Sequence, residues 1–405
     1  MKTFKILLVV STALLAAKAA LAQTWTQTSA PSNTWTSVAC SADETKIAAT
    51  AGDGIYISTN SGTTWTQTSA PNDVWTSVAS SADGTILVAA AAFSSIYIST
   101  NSGATWSLTT APSHQFNWDS VASSADGTKL VAGAGSGGIY TSTNSGATWT
   151  LSSAPSGFTN YWPSIASSVD GCKLIAAGNQ SINGIISDGS IYTSTDSGAT
   201  WILQSNAPDA LWHSVASTAD GSKLVATVYR GAIYASTNAG VNWTQIDQAY
   251  SGGWGTVVSS ADGNKLAAAY NFPILTPTNV QNYSQVYFSS DSGATWASIG
   301  APAGDSISCK VTALSADGNK LVAIANGNIY TWQSTPAPQL NIKPASGNFK
   351  LSWIVPSTNF VMQQSSDLGS WTDMTNQHVL NLTNLQNEVI LLPTNSSGFY
   401  RLKTP

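Results

Sequence analysis

The chain has 405 residues, a formal net charge of −5 and only 9% charged side chains. Without a basic stretch to neutralise phosphates, nucleic acid is not an expected partner. Low charge beside 16 Trp and 13 Tyr fits an extracellular all-β protein rather than a disordered one.

In chain order, Lys2 and Lys5 precede an apolar run from Ile6 to Ala17, and Ala20-Leu21-Ala22 has the small-x-small pattern of a cleavage site. Residues 1–22 therefore read as a secretory signal peptide, with the mature chain starting at Gln23. No later stretch is apolar enough to span a bilayer. The expected product is exported, extracellular or periplasmic, and monomeric. Cys40, Cys172 and Cys309 allow one disulfide at most, and their positions within repeats suit small buried hydrophobes better.

From residue 23 to 333 a unit of about 40 residues recurs. Each unit begins with an aromatic-led strand such as Trp35-Thr-Ser-Val-Ala, then a Ser-Ala-Asp-Gly type of turn, then a strand such as Lys-Leu-Val-Ala. A loop and a strand such as Gly-Ile-Tyr-Ile-Ser follow, then an octapeptide of the form STNSGATW, then a last strand. The turn aspartates Asp43, Asp83, Asp126, Asp170, Asp220, Asp262 and Asp317 count seven units. Eight residues before each stands Trp35, Trp75, Trp118, Trp162, Trp212 or Trp254, with Cys309 in the seventh unit. Four strands per unit with no helical period predict a seven-bladed β-propeller.

The seventh unit stops at Trp332 without an octapeptide, whereas Thr24–Pro31 matches Thr64–Pro71 residue for residue. The N-terminal strand should therefore complete the last blade and close the ring.

The octapeptide S-T-(N/D)-x-G-x-x-W, written six times in phase, resembles the Asp-box or BNR repeat. That family includes sialidases, plant-cell-wall glycosidases, sortilin-like receptors and photosystem II assembly propellers. The resemblance implies a hairpin between the third and fourth strands of each blade. The Asx position is Asn at Asn60, Asn101, Asn144 and Asn238, and Asp only at Asp196 and Asp291. Calcium binding or acid catalysis needs charge there; a hydrogen-bonded turn does not, so the boxes read as structural.

The sialidase activity of the family does not carry over, since three arginines bind that substrate's carboxylate and this chain holds only Arg230 and Arg401. His114, His213 and His378 are scattered, and no metal or cofactor is expected. No catalytic residue is assigned.

The turns and octapeptides fall on one face of the disc and the second-to-third-strand connections on the other. Two of these connections are long, 178–189 in the fourth unit and 270–284 in the sixth, and such loops commonly serve binding. The leading tryptophans either stack on sugars or pack between blades, and their regular recurrence favours packing. The irregular residues Arg230, Tyr229, Asp188, Asp119, His213, Tyr161 and Tyr270, with Tyr283 beside them, are the candidate ligand contacts.

Residues 334–338 have linker character, and 339–405 read as a small all-β module of the β-sandwich type, free or docked on the propeller. The expected function is a secreted, non-catalytic scaffold binding a glycan or an extracellular protein. The alternative is a polysaccharide-active glycoside hydrolase or lyase using loop aspartates.

Overall fold

A computed structural model describes residues 25–113, 117–135, 137–155, 160–182, 185–229, 231–247, 253–275, 280–302 and 308–334. In the C-terminal segment it describes 341–345, 348–354, 361–365, 372–373, 379–381, 386–391 and 399–403. The signal-peptide reading and Arg230 lie outside the described residues.

Seven four-stranded antiparallel sheets form the propeller, each in simple 1-2-3-4 order for the first six blades. The first blade is typical: Trp35–Cys40, Ile47–Ala51, Gly54–Ser58 and Thr66–Gln67. In the seventh, Cys309–Leu314, Lys320–Ala325 and Asn328–Gln333 are completed by Thr26–Gln27, with Thr26 opposite Thr331 and Gln27 opposite Tyr330. The N-terminal strand closes the ring, as its likeness to Thr64–Pro71 predicts.

Between blades the sheets bury one apolar seam each. The second seam, for example, joins Ala48 and Ile55 of the first blade to Trp75, Val78 and Leu87 of the second. The leading tryptophans are the largest pieces of these seams: Trp75, Trp162, Trp212 and Trp254 are each 1% exposed. Each meets a third-strand tyrosine edge-on, as Trp35 meets Tyr56 with ring centroids 5.3 Å apart. They pack rather than recognise. In the last seam the slimmer Cys309 sits at this position and Trp332 joins the same apolar cluster. Cys40, Cys172 and Cys309 are all unpaired thiols.

The turn after each innermost strand is a small hydrogen-bonded knot. In the second blade Ser81 Oγ donates to Asp83 Oδ1 at 2.6 Å, and the Thr85 amide donates to the same oxygen at 2.9 Å. At Asp220 burial works against ionisation, but the Ser222 amide and the Thr218 and Ser222 hydroxyls outweigh it and hold the carboxyl at about 2. The residue after each turn serine then links the blades through its backbone. Ala42 N–H donates to the Ala82 carbonyl, Ala82 to Ala125, Ala125 to Val169, Val169 to Ala219, Ala219 to Ala261, Ala261 to Ala316, and Ala316 back to Ala42. The cycle is closed.

The octapeptide hairpins behave as the mixed Asn/Asp usage requires. Ser58 Oγ accepts from the Gly62 amide at 2.9 Å, and Asn60 Oδ1 accepts from the Thr64 amide at 2.8 Å. Asn60 Nδ2 donates to Thr64 Oγ1 at 2.9 Å, whereas in the fourth blade Thr200 Oγ1 donates to Asp196 Oδ2 at 2.6 Å. One bond reverses direction and the turn is otherwise kept. The sequence points to left-handed backbone only at the glycines, yet the preceding residue is left-handed too, with φ 55° at Ser61 and 84° at Gly62. A serine or alanine stands at the first of these positions in every copy, where the αL region carries some strain.

The long connections of the fourth and sixth units are not loops. They extend the hairpins themselves: Leu174–Ile182 pairs with Ile185–Ser194 out to Ile182 opposite Ile185, and Leu266–Leu275 pairs with Val280–Ser289 out to Leu275 opposite Val280. The C-terminal segment forms a four-stranded sheet and a three-stranded sheet.

Two outcomes follow. Deleting residues 23–30 leaves the last blade with three strands, and should lower the melting temperature by roughly 10 °C or more in a thermal scan. Replacing Asp196 and Asp291 together by Asn should change stability by less than about 0.5 kcal/mol, whereas Ser58→Ala, which strips a buried acceptor from the Gly62 amide, should cost about 1–2 kcal/mol in denaturant unfolding.

Candidate functional site

The innermost strands surround a central channel of about 1000 Å³. Each strand enters at the face of the second-to-third-strand hairpins and leaves at the face of the aspartate turns, so the channel has two unlike ends. The turn end is framed by the hydrogen-bonded backbone cycle of Ala42, Val169, Ala219 and their equivalents. The hairpin end is where the repeat breaks.

That break has a backbone cause. In the first blade Trp35 pairs with Ala51 and Ser37 with Thr50, so Thr36 is left out of the ladder. The same bulge leaves out Thr76, Asp119 and His213. A bulge turns the extra side chain off the pleat and often stands beside a site. Here Thr36, Thr76, Asp119 and His213 all line the channel. In the fourth blade Trp162 and Pro163 are both left out, and Pro163 lines the channel. In the seventh the irregularity falls at Thr312, so Lys310, which follows Cys309 as Thr36 follows Trp35 and also lines the channel, stays in the ladder opposite Ile324. Tryptophan before this position packs the seam, and serine after it commonly bonds the next blade, as Ser37 Oγ accepts from the Val78 amide at 3.3 Å. The residue between them varies in duty: Thr36 and Thr76 donate their hydroxyls to the Thr50 and Ala90 carbonyls at 3.1 Å, whereas no such bond is made by His213 or Lys310 among the described residues.

The electrostatics of the mouth are sparse and asymmetric. Asp119 Oδ1 accepts from Asn117 Nδ2 at 2.8 Å, while Oδ2 is buried with no partner of hydrogen-bonding geometry among the described residues. Burial pushes the Asp119 carboxyl up to about 7, only partly opposed by the Trp162 amide. Tyr161 is raised by its own burial and then by the Asp119 charge. On the fifth blade burial, followed by the Lys310 ammonium, holds the His213 imidazole below its usual value, and the ring lies 5.9 Å from that of Tyr229. Asp119 and Lys310 belong to the third and seventh blades, across the channel from one another.

Of the seven candidate contacts, Asp119, Tyr161, His213 and Tyr229 come together at this mouth. Tyr270 lies apart, edge-on to Trp254 at 5.0 Å between ring centroids. Asp188 is carried on the extended strand Ile185–Ser194, but its side chain, like that of Tyr283, lies outside the description. Lys310, Thr36, Thr76 and Thr256 also line the channel and were not singled out by sequence. Aligning the units on their turn aspartates and reading seven residues back gives Thr36, Thr76, Asp119, Pro163, His213, Gly255 and Lys310. That column is the signal that would have found Thr36, Thr76 and Lys310, while Thr256 stands one residue beyond it. Among the described residues no cluster of His, Cys, Asp and Glu could hold a metal.

Solved structures share this architecture. The GH74 xyloglucanase from Xanthomonas campestris superimposes with a TM-score of 0.58 at 16% identity, covering 82% of this chain and 59% of that one. YCF48 bound to D1 peptide gives 0.55 at 16% identity, covering 78% of this chain and 97% of that one. YCF48 from Cyanidioschyzon merolae gives 0.55 at 17% identity over 76% and 98%. The chain is similar to all three in fold. This chain spans about three fifths of the xyloglucanase, and no identity here is high enough to carry more than architecture. No family model matches the chain, and no curated protein matches it in sequence.

The buried Asp119 gives a pH-dependent outcome. Its folded carboxyl holds its proton more tightly than the unfolded one. Stability is therefore lost as pH rises from about 4, where the unfolded carboxyl ionises, through about 7, where the folded one does. Asp119→Asn carries no such cost. The variant should melt a few degrees above wild type at pH 8, and the gap should close toward pH 4 in parallel thermal scans.

Proposed function

We propose that the protein is an exported, non-catalytic Asp-box propeller that binds a carbohydrate through the hairpin-face mouth of its channel. The observation that carries this reading is the pattern of repetition. Positions that pack seams, close turns or link blades repeat around the ring, and the residue after each leading tryptophan, or after Cys309 in the last blade, does not. It runs through Thr36, Thr76, Asp119, Pro163, His213, Gly255 and Lys310. A scaffold gains nothing from that variety; a ligand does. Hydroxyls from Thr36, Thr76, Tyr161, Tyr229 and Thr256 line the channel, and they suit a hydroxylated ligand better than an apolar one. Tyr161 and Tyr229 offer ring faces for sugar C–H groups.

A second reading, a glycoside hydrolase or lyase, has one observation in its favour. Asp119, raised to about 7, is in the protonation range of a general acid. Such chemistry needs a second carboxylate about 5–10 Å away, and the described channel lining contains none.

A panel of soluble plant and bacterial polysaccharides, measured for binding and for product release, separates the two. The proposal expects saturable binding, weakened about tenfold or more by a Tyr161→Ala, Tyr229→Ala double variant, with no new reducing ends. Turnover abolished by Asp119→Asn would replace it with the enzyme reading, and binding unaffected by the double variant would move the site elsewhere.

A further inference from the structure

The propeller contains seven lysines, and six of them are spent on structure. Lys129, Lys173, Lys223, Lys265 and Lys320 each send Nζ to the backbone carbonyl of the next blade's turn aspartate, as Lys129 does to Asp170 at 2.9 Å. Lys46 Nζ donates to Ser102 Oγ in the neighbouring blade at 3.2 Å. Lys310 is the seventh. It stands on the innermost strand Cys309–Leu314, lines the channel, is exposed, and makes no hydrogen bond or ion pair among the described residues. A cation placed in a water-filled channel without a structural partner is available to a ligand anion.

The surroundings narrow the ligand. His213 is close enough for the Lys310 charge to be felt on its imidazole and favour its neutral form, so the two stand together with Lys310 as the cation and His213 as a neutral hydrogen-bonding partner. The rest of the described lining is uncharged, serine, threonine and tyrosine hydroxyls among apolar side chains, and its single carboxylate, Asp119, lies across the channel from Lys310 with one oxygen unpartnered among the described residues. A densely charged polyanion would find one ammonium among the described lining residues, in a protein of net charge −5. A sugar that carries one carboxylate per residue among several hydroxyls fits both sides at once. Its carboxylate reaches Lys310 and its hydroxyls donate to Asp119.

We infer that the mouth is built for a carboxylated sugar, a uronate-containing glycan whose carboxylate is held by Lys310 with His213 and whose hydroxyls are held by Asp119. This rests on the reading of the mouth as a carbohydrate site and adds the charge requirement. The titratable groups facing the described channel are Cys40, Asp119, Tyr161, His213, Tyr229 and Lys310. Lowering the pH from 8 to 6 discharges Asp119 while leaving a uronate ionised, so affinity for the acidic sugar should rise over that range.

The test is calorimetric titration of the full chain with oligogalacturonate and alginate oligomers, beside the methyl ester of the same oligogalacturonate. The ester keeps the sugar and removes the charge. The acidic oligomer should bind about tenfold or more tightly than its ester. Lys310→Ala should erase that preference by weakening the acid alone, and Lys310→Arg should restore it. Because Lys310 is exposed and structurally unpartnered, both variants should fold, which their unchanged melting temperature would verify. Equal affinity for acid and ester, or a preference that survives Lys310→Ala, overturns the inference while leaving a neutral-sugar site intact. Failure of every oligomer to bind overturns it together with the reading of the mouth on which it rests. Tighter binding of a sulfated oligosaccharide than of the uronate would show a site for sulfate instead, and would equally overturn it.

Discussion

Seven backbone hydrogen bonds run head to tail around the turn end of the channel, from Ala42 through Ala316 and back to Ala42. Six of them are 2.8–2.9 Å long, and the last, Ala316 to Ala42, is 3.2 Å. Because each residue both donates and accepts, the cycle has a solution only when the blades are evenly spaced and the ring is complete. Everything else answers to that spacing. It fixes the width of the channel and the gap that a leading tryptophan fills in each seam. It also sets the reach of each lysine to the next blade's turn. The longest link falls where the chain's two ends meet, the same place where Glu44 replaces the turn glycine with a φ of 51°. There Glu44 is buried; burial is the main cause that raises its carboxyl to about 8, with Lys320 opposing and Asp317 and Asp43 adding to it.

The constraint explains how a stiff scaffold carries a variable surface. Trp, Ser and the turn residues of each innermost strand are committed to seams and cross-blade bonds, so they repeat. An irregularity near the start of each innermost strand puts one or two residues outside the ladder, and residues beside it, Thr36, Thr76, Asp119, Pro163, His213 and Lys310 among them, line the channel. Side chains there are open to change without cost to the cycle. In the blades with extended hairpins an asparagine adds a further lock: Asn179 Nδ2 donates to the Trp212 carbonyl at 2.7 Å and Oδ1 accepts from the Trp212 amide at 3.1 Å. Asn271 holds Cys309 in the same two-point manner. The protruding hairpins are thus anchored beside the mouth, at Trp212 next to His213 and at Cys309 next to Lys310.

The fold was legible because its rules are local and repeated. Ser-Ala-Asp-Gly and STNSGATW name two turns, the distance between them gives the strands, and the match of Thr24–Pro31 to Thr64–Pro71 announces the closing strand. The site was half legible. Asp119, His213, Tyr161 and Tyr229 stood out because they depart from their neighbours, but Lys310 was hidden among lysines that repeat for structural reasons. Telling it from them requires knowing that it follows Cys309 at the start of an innermost strand rather than following a turn aspartate. Tyr270 was conspicuous for the opposite reason: an aromatic at an irregular place in sequence that sits edge-on to Trp254 in the fold. The long connections of the fourth and sixth blades read as loops because their Gly, Pro, Asn and Ser residues have turn character and no strand period, and only the pairing shows them as extended hairpins.

The central claim is that ligand meets this protein at the starts of the innermost strands, in the channel mouth, and hydrogen exchange with and without a bound saccharide tests it most directly. Slowed exchange should concentrate at the starts of the innermost strands, around residues 36–37, 76–77, 118–121, 161–164, 212–214 and 309–312, with the octapeptide hairpins unchanged. Protection confined to the hairpins at 58–65, 99–106 and 142–149, with the strand starts unaffected, would contradict the account.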